Sequence, residues 1–286
     1  MAGVALLFSC KETTSEVIVD EVVEPDLKAG LNEIILDING AERFFTAYVP
    51  ESVTDETSLL FKFHGSRSVR AVPLTFLPIA EDALLHRIAD RENLIVVYPV
   101  ALLAENGSSY SWTHEEADLA FFDKMVDYFR QEFGQQAGDI HFKNVFVSGH
   151  SSGAIFSFKL AGNRADKIAA AVSVSGQYRL VAGVNDGFIS DNISIPVRAY
   201  NGTLDQTVRY AAAWQNFKIW TERENKGDPD NYTQDSLLIG SYKINRFIWQ
   251  DGLSDMEFYA LDGVGHSISW DIIGESLWEF MKAHKK

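Results

Sequence analysis

The sequence predicts an α/β fold in which a mostly parallel central sheet carries helices on both faces. Short, apolar, β-rich segments recur along the chain, and the longer segments between them are compatible with helices. A Gly-x-Ser-x-Gly sequence also lies between one of these apolar segments and a helical one. Strands that alternate with helices in this way are typical of βαβ units, which place their strands in parallel.

The predicted elements follow one another in a regular order. Two antiparallel strands, 33–36 and 44–49, are expected around the turn Asn39-Gly40. A helical apolar period marks 117–133 and 210–220, and a final strand at 256–261 precedes a helix at 272–284. The predicted parallel strands are 59–63, 94–98, 145–147, 169–174 and 196–200.

The segment Gly149-His150-Ser151-Ser152-Gly153 follows the apolar run 144–147 and precedes an apolar, helix-compatible stretch at 154–161. A serine on a tight strand-to-helix turn needs glycines on both sides, because a Cβ would clash where the chain doubles back. The pattern therefore predicts that Ser151 is an exposed nucleophile, as in serine hydrolases with the α/β-hydrolase fold.

In such a fold, an acid and then a histidine follow the serine along the chain, each on a loop after a strand. Asp205 closes Asn201-Gly202-Thr203-Leu204-Asp205 after the strand that ends at 200, so it is the predicted acid. It can also serve as a helix N-cap for the segment that begins near Thr207. Asp255 and Asp262 are rivals, but they lie too close in sequence to the predicted histidine to come from the preceding strand end.

His266 is the predicted base, because it lies on a glycine-containing loop directly after the strand that ends at 261. Ser151 would attack, His266 would take and return the proton, and Asp205 would orient the ring and stabilise the imidazolium. Two other histidines, His64 at a strand end and His150 in the elbow, are expected to lie near the site in positional roles.

Hydrolysis of an acyl group also needs N–H donors for the oxyanion of the tetrahedral intermediate. The N–H of Ser152, directly after the nucleophile, is one predicted donor. The strand 59–63 runs into His64-Gly65, so the N–H of Ser66 or Arg67 is the predicted second donor. The alternative interpretation of His64-Gly65 is an ordinary turn between a strand and a helix.

Composition limits the range of functions. With 286 residues, 46% of them hydrophobic, and no linker-like segment, residues 30–286 are expected to form one catalytic domain. The net charge of −15 disfavours nucleic acid and anionic membrane surfaces as partners. No cluster of His, Cys and carboxylate residues has metal-ligand spacing, so neither metal nor cofactor is predicted; the oligomeric state stays open.

The first 29 residues are expected to be a signal remnant and a flexible tether. Leu7-Phe8-Ser9-Cys10 resembles a bacterial lipoprotein cleavage box, in which the cysteine is acylated. The following Lys11-Glu12 resembles an export signal of some Gram-negative surface lipoproteins. A lipid anchor through Cys10 would place the protein in the periplasm or on the outer membrane. The alternative is a frayed N-terminus with a stray thiol, which leaves the protein in the cytoplasm.

Several spaced motifs, in order from about Ile34 onward, resemble the esterase/polyhydroxybutyrate depolymerase family, which is grouped with the feruloyl and acetylxylan esterases of carbohydrate esterase family 1. The resemblance implies hydrolysis of esters on plant polysaccharides, of polyesters or of small aryl and acyl esters, without metal or cofactor. The matching motifs are Tyr48-Val49-Pro50, Phe63-His64-Gly65, Val97-Tyr98-Pro99, Trp112 with Asp118-Leu119-Ala120-Phe121, the elbow, 201–205, and Gly265-His266 with Trp270.

The chain departs from this family beside the expected acyl pocket. Ser66-Arg67 replace the frequent Cys-Gly, and Ser267-Ile268-Ser269-Trp270 replace an early Trp-Pro. We expect Arg67 to form a surface ion pair rather than to contact a substrate carboxylate.

Aromatic and histidine side chains are candidates for substrate contact. Tyr110, Trp112 and Trp270 could form an aromatic wall for a sugar or phenolic ring, with His64 beside them, although each aromatic residue could equally be part of the core.

The leading hypothesis from the sequence is a serine carboxylic ester hydrolase of feruloyl or acetylxylan type that acts outside the cytoplasm on a small-molecule or polysaccharide ester. Alternatives within enzymes are a polyhydroxyalkanoate depolymerase, a lipase-like esterase or a prolyl-oligopeptidase-like peptidase. A non-catalytic surface binding protein is a further alternative.

Overall fold

The computed structural model describes residues 27–38, 40–68, 83–134, 142–178 and 194–286. The predicted tether and Cys10 lie outside these residues. Within them, the helices are α1 (Ala83–Glu92), α2 (Glu115–Gly134), α3 (Ser152–Asn163), α4 (Tyr210–Arg223) and α5 (Trp270–Ala283). The strands are β1 (Gly30–Ile38), β2 (Ala41–Val49), β3 (Ser58–Phe63), β4 (Arg67–Ser68), β5 (Leu94–Pro99), β6 (Ser109–Tyr110), β7 (Val145–His150), β8 (Ala170–Val174), β9 (Val197–Gly202), β10 (Thr233–Ile239), β11 (Tyr242–Trp249) and β12 (Met256–Leu261).

Ten of the described strands form one sheet in the order β1-β2-β5-β3-β7-β8-β9-β12-β11-β10. The six central strands, from β5 to β12, pair in parallel, and an antiparallel hairpin extends the sheet at each edge. The predicted mostly parallel sheet is therefore confirmed. Because the parallel strands point the same way, the loops after β3, β7, β8, β9 and β12 meet at one edge of the sheet.

Helices cover both faces of this sheet. Alternate strand residues face opposite sides, so Phe61 joins an apolar cluster with α2, α3 and α4, whereas Leu60 joins a second cluster with α1 and α5. Both clusters are buried, and together they fix the strand ends relative to the helices. No helix in the described ranges is long and apolar enough to cross a membrane.

A buried ion pair joins the edge hairpin to α2. Nη2 of Arg43 on β2 lies 2.9 Å from Oδ1 of Asp118, and both side chains are almost completely buried. The other carboxylate oxygen of Asp118 accepts the N–H of His114, just before the helix begins, at 3.1 Å. The guanidinium also lies 4.1 Å from the centre of the Phe121 ring. The acidic residue in the family-like motif at 118–121 is thus a structural partner of Arg43.

Candidate active site

Ser151 lies between the end of β7 and the start of α3, in a backbone conformation that L-residues rarely adopt. Its φ is 54° and its ψ is −115°, and its N–H donates to the carbonyl of Val174 on the neighbouring strand at 3.0 Å. A Cβ on Gly149 would overlap the backbone of Gly153, and a Cβ on Gly153 would overlap the carbonyl of Phe63. The two glycines therefore permit the tight turn, and the surrounding structure holds Ser151 in its strained conformation.

Asp205 and His266 meet at the same edge of the sheet. Nδ1 of His266 lies 2.8 Å from Oδ2 of Asp205, whose side chain is 0% exposed, whereas that of His266 is 22% exposed. A carboxylate oxygen only accepts, so Nδ1 carries the hydrogen and Nε2 is left as the proton acceptor. This is the tautomer that a general base beside a serine needs.

The other oxygen of Asp205 caps the chain before α4. Oδ1 accepts the N–H of Thr207 at 2.8 Å and that of Val208 at 2.9 Å. One oxygen of Asp205 therefore contacts His266, and the other makes the predicted cap. The rivals are engaged elsewhere, since Asp255 lies 3.2 Å from Nε2 of His284 and Asp262 lies 3.6 Å from Nζ of Lys243.

Backbone hydrogen bonds connect the acid loop to the histidine loop. The N–H of Leu204 donates to the carbonyl of Val264 at 2.9 Å, and the N–H of Gly263 donates to Oγ1 of Thr203 at 2.9 Å. A Cβ on Gly202 would overlap the carbonyl of Val264, so the close approach of the loops requires glycine there. These contacts fix the position of one loop relative to the other, and with it the position of the carboxylate relative to the imidazole.

In the described residues, no hydrogen bond within 3.5 Å joins Oγ of Ser151 to the His266 ring. The bond between nucleophile and base is often long before substrate binds and tightens in the reacting complex. The ring of His150 lies close by, with its centroid 4.9 Å from that of His266.

The loop after β3 passes close to Ser151. A Cβ on Gly65 would lie 2.9 Å from Nδ1 of His150 and 3.3 Å from Cβ of Ser151. The side chain of Ser66 pairs with that of Ser111 at 2.8 Å between the two oxygens, and Arg67 pairs with Tyr110 in the short β4–β6 ladder. The predicted second oxyanion donor, the N–H of Ser66 or Arg67, therefore lies on a loop that is held close to Ser151. The N–H of Ser152 belongs to the first turn of α3, where backbone donors lack helical partners.

His64 forms hydrogen bonds to this loop and to the segment that follows β5. Its Nε2 accepts the N–H of Ala101 at 3.1 Å, so Nδ1 carries the hydrogen and donates to the carbonyl of Gly65 at 2.6 Å. Burial lowers the pKa of His64 from 6.5 to about 4, which keeps the ring neutral near pH 7. Both ring nitrogens are engaged by the backbone, and this corrects the expectation that His64 binds substrate.

Trp112 is also a support for the loop rather than part of a substrate wall. It is 4% exposed, its Nε1 donates to the carbonyl of His64 at 2.9 Å, and its ring stacks on Phe156 of α3 at 5.1 Å between centroids. No face of the indole is open to a sugar or phenol, so the predicted substrate contact at Trp112 is corrected. Sequence pattern alone could not separate an exposed aromatic residue from a buried one.

Tyr110 and Trp270 remain candidates for substrate contact, because both are only half-buried. Trp270 is the first residue of α5, and Nζ of Lys62 lies 4.2 Å from its ring centroid.

The exposed Arg67 makes no ion pair within 4.0 Å in the described part of the chain, contrary to the expected surface ion pair.

By sequence, the chain is similar to proteins that are named esterases. No protein-family model matches the chain. It is 27% identical to feruloyl esterase B of Talaromyces funiculosus over 222 residues, 65% of this chain and 60% of that protein. It is 25% identical to a bifunctional acetylxylan esterase/xylanase of Neocallimastix patriciarum over 250 residues, 85% of this chain and 33% of that protein. The chain thus spans less than two thirds of both relatives.

Solved structures show the same fold. The acetyl xylan esterase of Aspergillus awamori superposes with a TM-score of 0.61 at 18% identity, covering 89% of this chain and 99% of that one. A fluorophosphonate-binding serine hydrolase of Staphylococcus aureus superposes with a TM-score of 0.54 at 15% identity, covering 91% and 99%. The chain therefore has the α/β-hydrolase fold and is a homologue of proteins named feruloyl esterase and acetylxylan esterase.

Proposed function

We propose that this protein is a serine carboxylic ester hydrolase that removes feruloyl or acetyl groups from plant polysaccharides. The observation that carries the proposal is the 2.8 Å bond from His266 to the buried carboxylate of Asp205, on loops that converge beside the strained Ser151. The names of the two relatives support the substrate class.

The proposed reaction is an acyl transfer in two steps. Oγ of Ser151 attacks the ester carbon while Nε2 of His266 takes the hydroxyl proton, and the carbonyl oxygen becomes an oxyanion held by backbone N–H donors at 152 and in the 66–67 loop. The carbon–oxygen bond to the alcohol then breaks, and His266 returns the proton to the departing alcohol. Water repeats the sequence on the acyl-enzyme, which releases the carboxylic acid and restores Ser151.

A matched substrate panel tests this proposal. Steady-state rates are measured with methyl ferulate, acetylated xylan, 4-nitrophenyl acetate and butyrate, and a peptide anilide. We expect ferulate or acetylated xylan to be hydrolysed, and Ser151→Ala to abolish turnover without loss of fold. Ser148→Ala is the matched control, because this hydroxyl is buried in the sheet without a hydrogen-bond partner in the described structure.

Each other outcome of the panel selects another function. Activity on the anilide alone would indicate a peptidase, and a preference for butyrate over both polysaccharide-type esters would indicate a lipase-like or polyester-directed enzyme. A folded protein without activity on any substrate would indicate a binding protein with a hydrolase fold.

We also propose that Cys10 is acylated and anchors the enzyme to a bacterial membrane outside the cytoplasm. The support is the lipoprotein-like box ending at Cys10, which lies outside the described residues. Expression in a Gram-negative host with a labelled fatty acid should label the protein and drive it into the detergent phase, and Cys10→Ser should remove both effects. Label that is absent from the unsubstituted protein would refute the anchor.

A further inference from the structure

The main-chain carbonyl of His266 accepts two hydrogen bonds from the ends of the two neighbouring strands β7 and β8. Nε2 of His150, the last residue of β7, lies 3.0 Å from this oxygen, and Oγ of Ser175, directly after β8, lies 2.7 Å from it. A carbonyl oxygen has two lone pairs, so these two donors satisfy it fully. We call this pair of donors the carbonyl clamp.

The direction of both bonds is settled by chemistry. A carbonyl oxygen only accepts, so Nε2 of His150 carries its hydrogen and Nδ1 is the unprotonated nitrogen. Burial lowers the pKa of His150, so this neutral form persists at neutral pH. The hydroxyl of Ser175 donates its proton to the same oxygen.

Ser175 has a strained backbone conformation. Its φ is 52°, in the left-handed region where glycine is relaxed and a serine is strained. The residue is completely buried, and its N–H donates to the carbonyl of Tyr200 at 2.7 Å. A glycine would relieve the strain at this position but could not donate to His266.

The loop that carries His266 is tied to the Asp205 loop at Gly263 and Val264, before His266 in the chain. Asp262, Gly263, Gly265 and Ser267 are all exposed, and the imidazole has a single side-chain anchor, the carboxylate of Asp205. The bond to Asp205 holds one atom of the ring, whereas the bonds from His150 and Ser175 hold the main chain from which the ring extends.

We propose that His150 and Ser175 are positioning residues that fix the main chain of His266 and thereby the place of its Nε2 beside Ser151. The elbow would then supply not only the nucleophile but also, through its second residue, an anchor for the base. The kinetic test of this inference rests on the proposed function, whereas its spectroscopic test does not.

The variants separate the loss of a donor from the loss of packing. His150→Met removes the N–H at similar volume, whereas His150→Gln carries an N–H donor at about the same reach. Ser175→Ala removes the hydroxyl and keeps a side chain at the same φ. The double variant His150→Met/Ser175→Ala leaves the carbonyl without either donor, and each variant is assayed well below its Tm.

In the kinetic test on 4-nitrophenyl acetate, each single loss should lower kcat by up to about tenfold, the worth of one hydrogen bond. The double variant should lose about 10²-fold or more, beyond the product of the single effects, because a displacement of the base by about 1 Å costs that much. KM should change little, and His150→Gln should retain kcat within about threefold. Wild-type kcat in the double variant would overturn the proposal, as would a loss that His150→Gln fails to restore.

In the spectroscopic test, the hydrogen on Nδ1 of His266, bonded to Asp205, should give a proton NMR resonance well downfield of the amides. It should broaden through faster exchange with water in the double variant and stay sharp in His150→Gln. The line width is the readout, because both variants remove the His150 ring, 4.9 Å from that of His266, and so alter the chemical shift. A resonance as sharp in the folded double variant as in the wild type would refute the clamp even if no ester is hydrolysed. Conversely, a broadened resonance in a protein without esterase activity would retain the clamp and reject the proposed function.

Discussion

Replacing Asp205 by asparagine should stop catalysis while leaving the fold in place. The amide oxygen of Asn can still accept the N–H groups of Thr207 and Val208, which lie 2.8 and 2.9 Å from Oδ1 of Asp205. The amide NH₂ would then face Nδ1–H of His266, 2.8 Å away in the structure, and two donors repel. The imidazole is driven to the tautomer with hydrogen on Nε2, which cannot take the proton of Ser151.

The wrong tautomer costs about 10⁴-fold in kcat, or about 5.4 kcal/mol of barrier. The free energy of unfolding should fall by only about 1–3 kcal/mol, because a charged acceptor is replaced while both capping bonds survive. The assay measures kcat for 4-nitrophenyl acetate. Urea unfolding measures the free energy of unfolding of the same variants. Asp255→Asn and Asp262→Asn are matched controls with wild-type kcat expected. An Asp205→Asn variant within tenfold of wild type would refute the reasoning, since some other group would then orient the base.

Three further changes test the surroundings of the site. Gly65→Ala should lower kcat by about 10²–10³-fold with little change in Tm, because its Cβ would lie 2.9 Å from His150 and displace the oxyanion loop; a kcat within threefold of wild type would show that the loop has room. Arg43→Met should lower the free energy of unfolding by about 3–5 kcal/mol, since the buried Asp118 loses its cation; a loss below about 1 kcal/mol in urea unfolding would contradict this. His64 has a folded-state pKa lowered to about 4, so its stabilising contribution is complete above pH 6.5 and is lost as the pH falls toward 4, by about 2 kcal/mol at pH 5. Urea unfolding at pH 7 and pH 5 should show this extra loss in the wild type but not in His64→Gln, and equal losses would refute it.

Much of the fold could be predicted from the sequence because the central strands are buried on both faces. All six residues of β5 are buried, and a short apolar run that is rich in β-branched residues is typical of a core strand. The hairpin of β10 and β11 escaped prediction because β10 is mostly exposed, with Leu238 73% exposed, and shows no apolar alternation. Its signal was Gly240, which turns the chain between the two strands with a φ of 54°.

The candidate triad could be predicted from chain order, since parallel strands carry their loops to one edge. The residues that hold the candidate triad in place could not be predicted in this way. The contact of His150 with the main chain of His266 spans 116 residues of sequence, and that of Ser175 spans 91. Contacts of this kind depend on which strands are neighbours, as does the burial of Trp112 against α3. For Arg67, the sequence predicted a surface ion pair that the described structure does not contain.

The central claim is that Ser151 is a nucleophile activated by His266 and Asp205. The most direct measurement is reaction with a fluorophosphonate probe, followed by mass spectrometry of the intact protein and of its peptides. We expect one adduct per chain, located on Ser151, absent in Ser151→Ala and formed far more slowly in Asp205→Asn. No adduct on the folded wild-type protein, or an adduct that persists in Ser151→Ala, would contradict the claim.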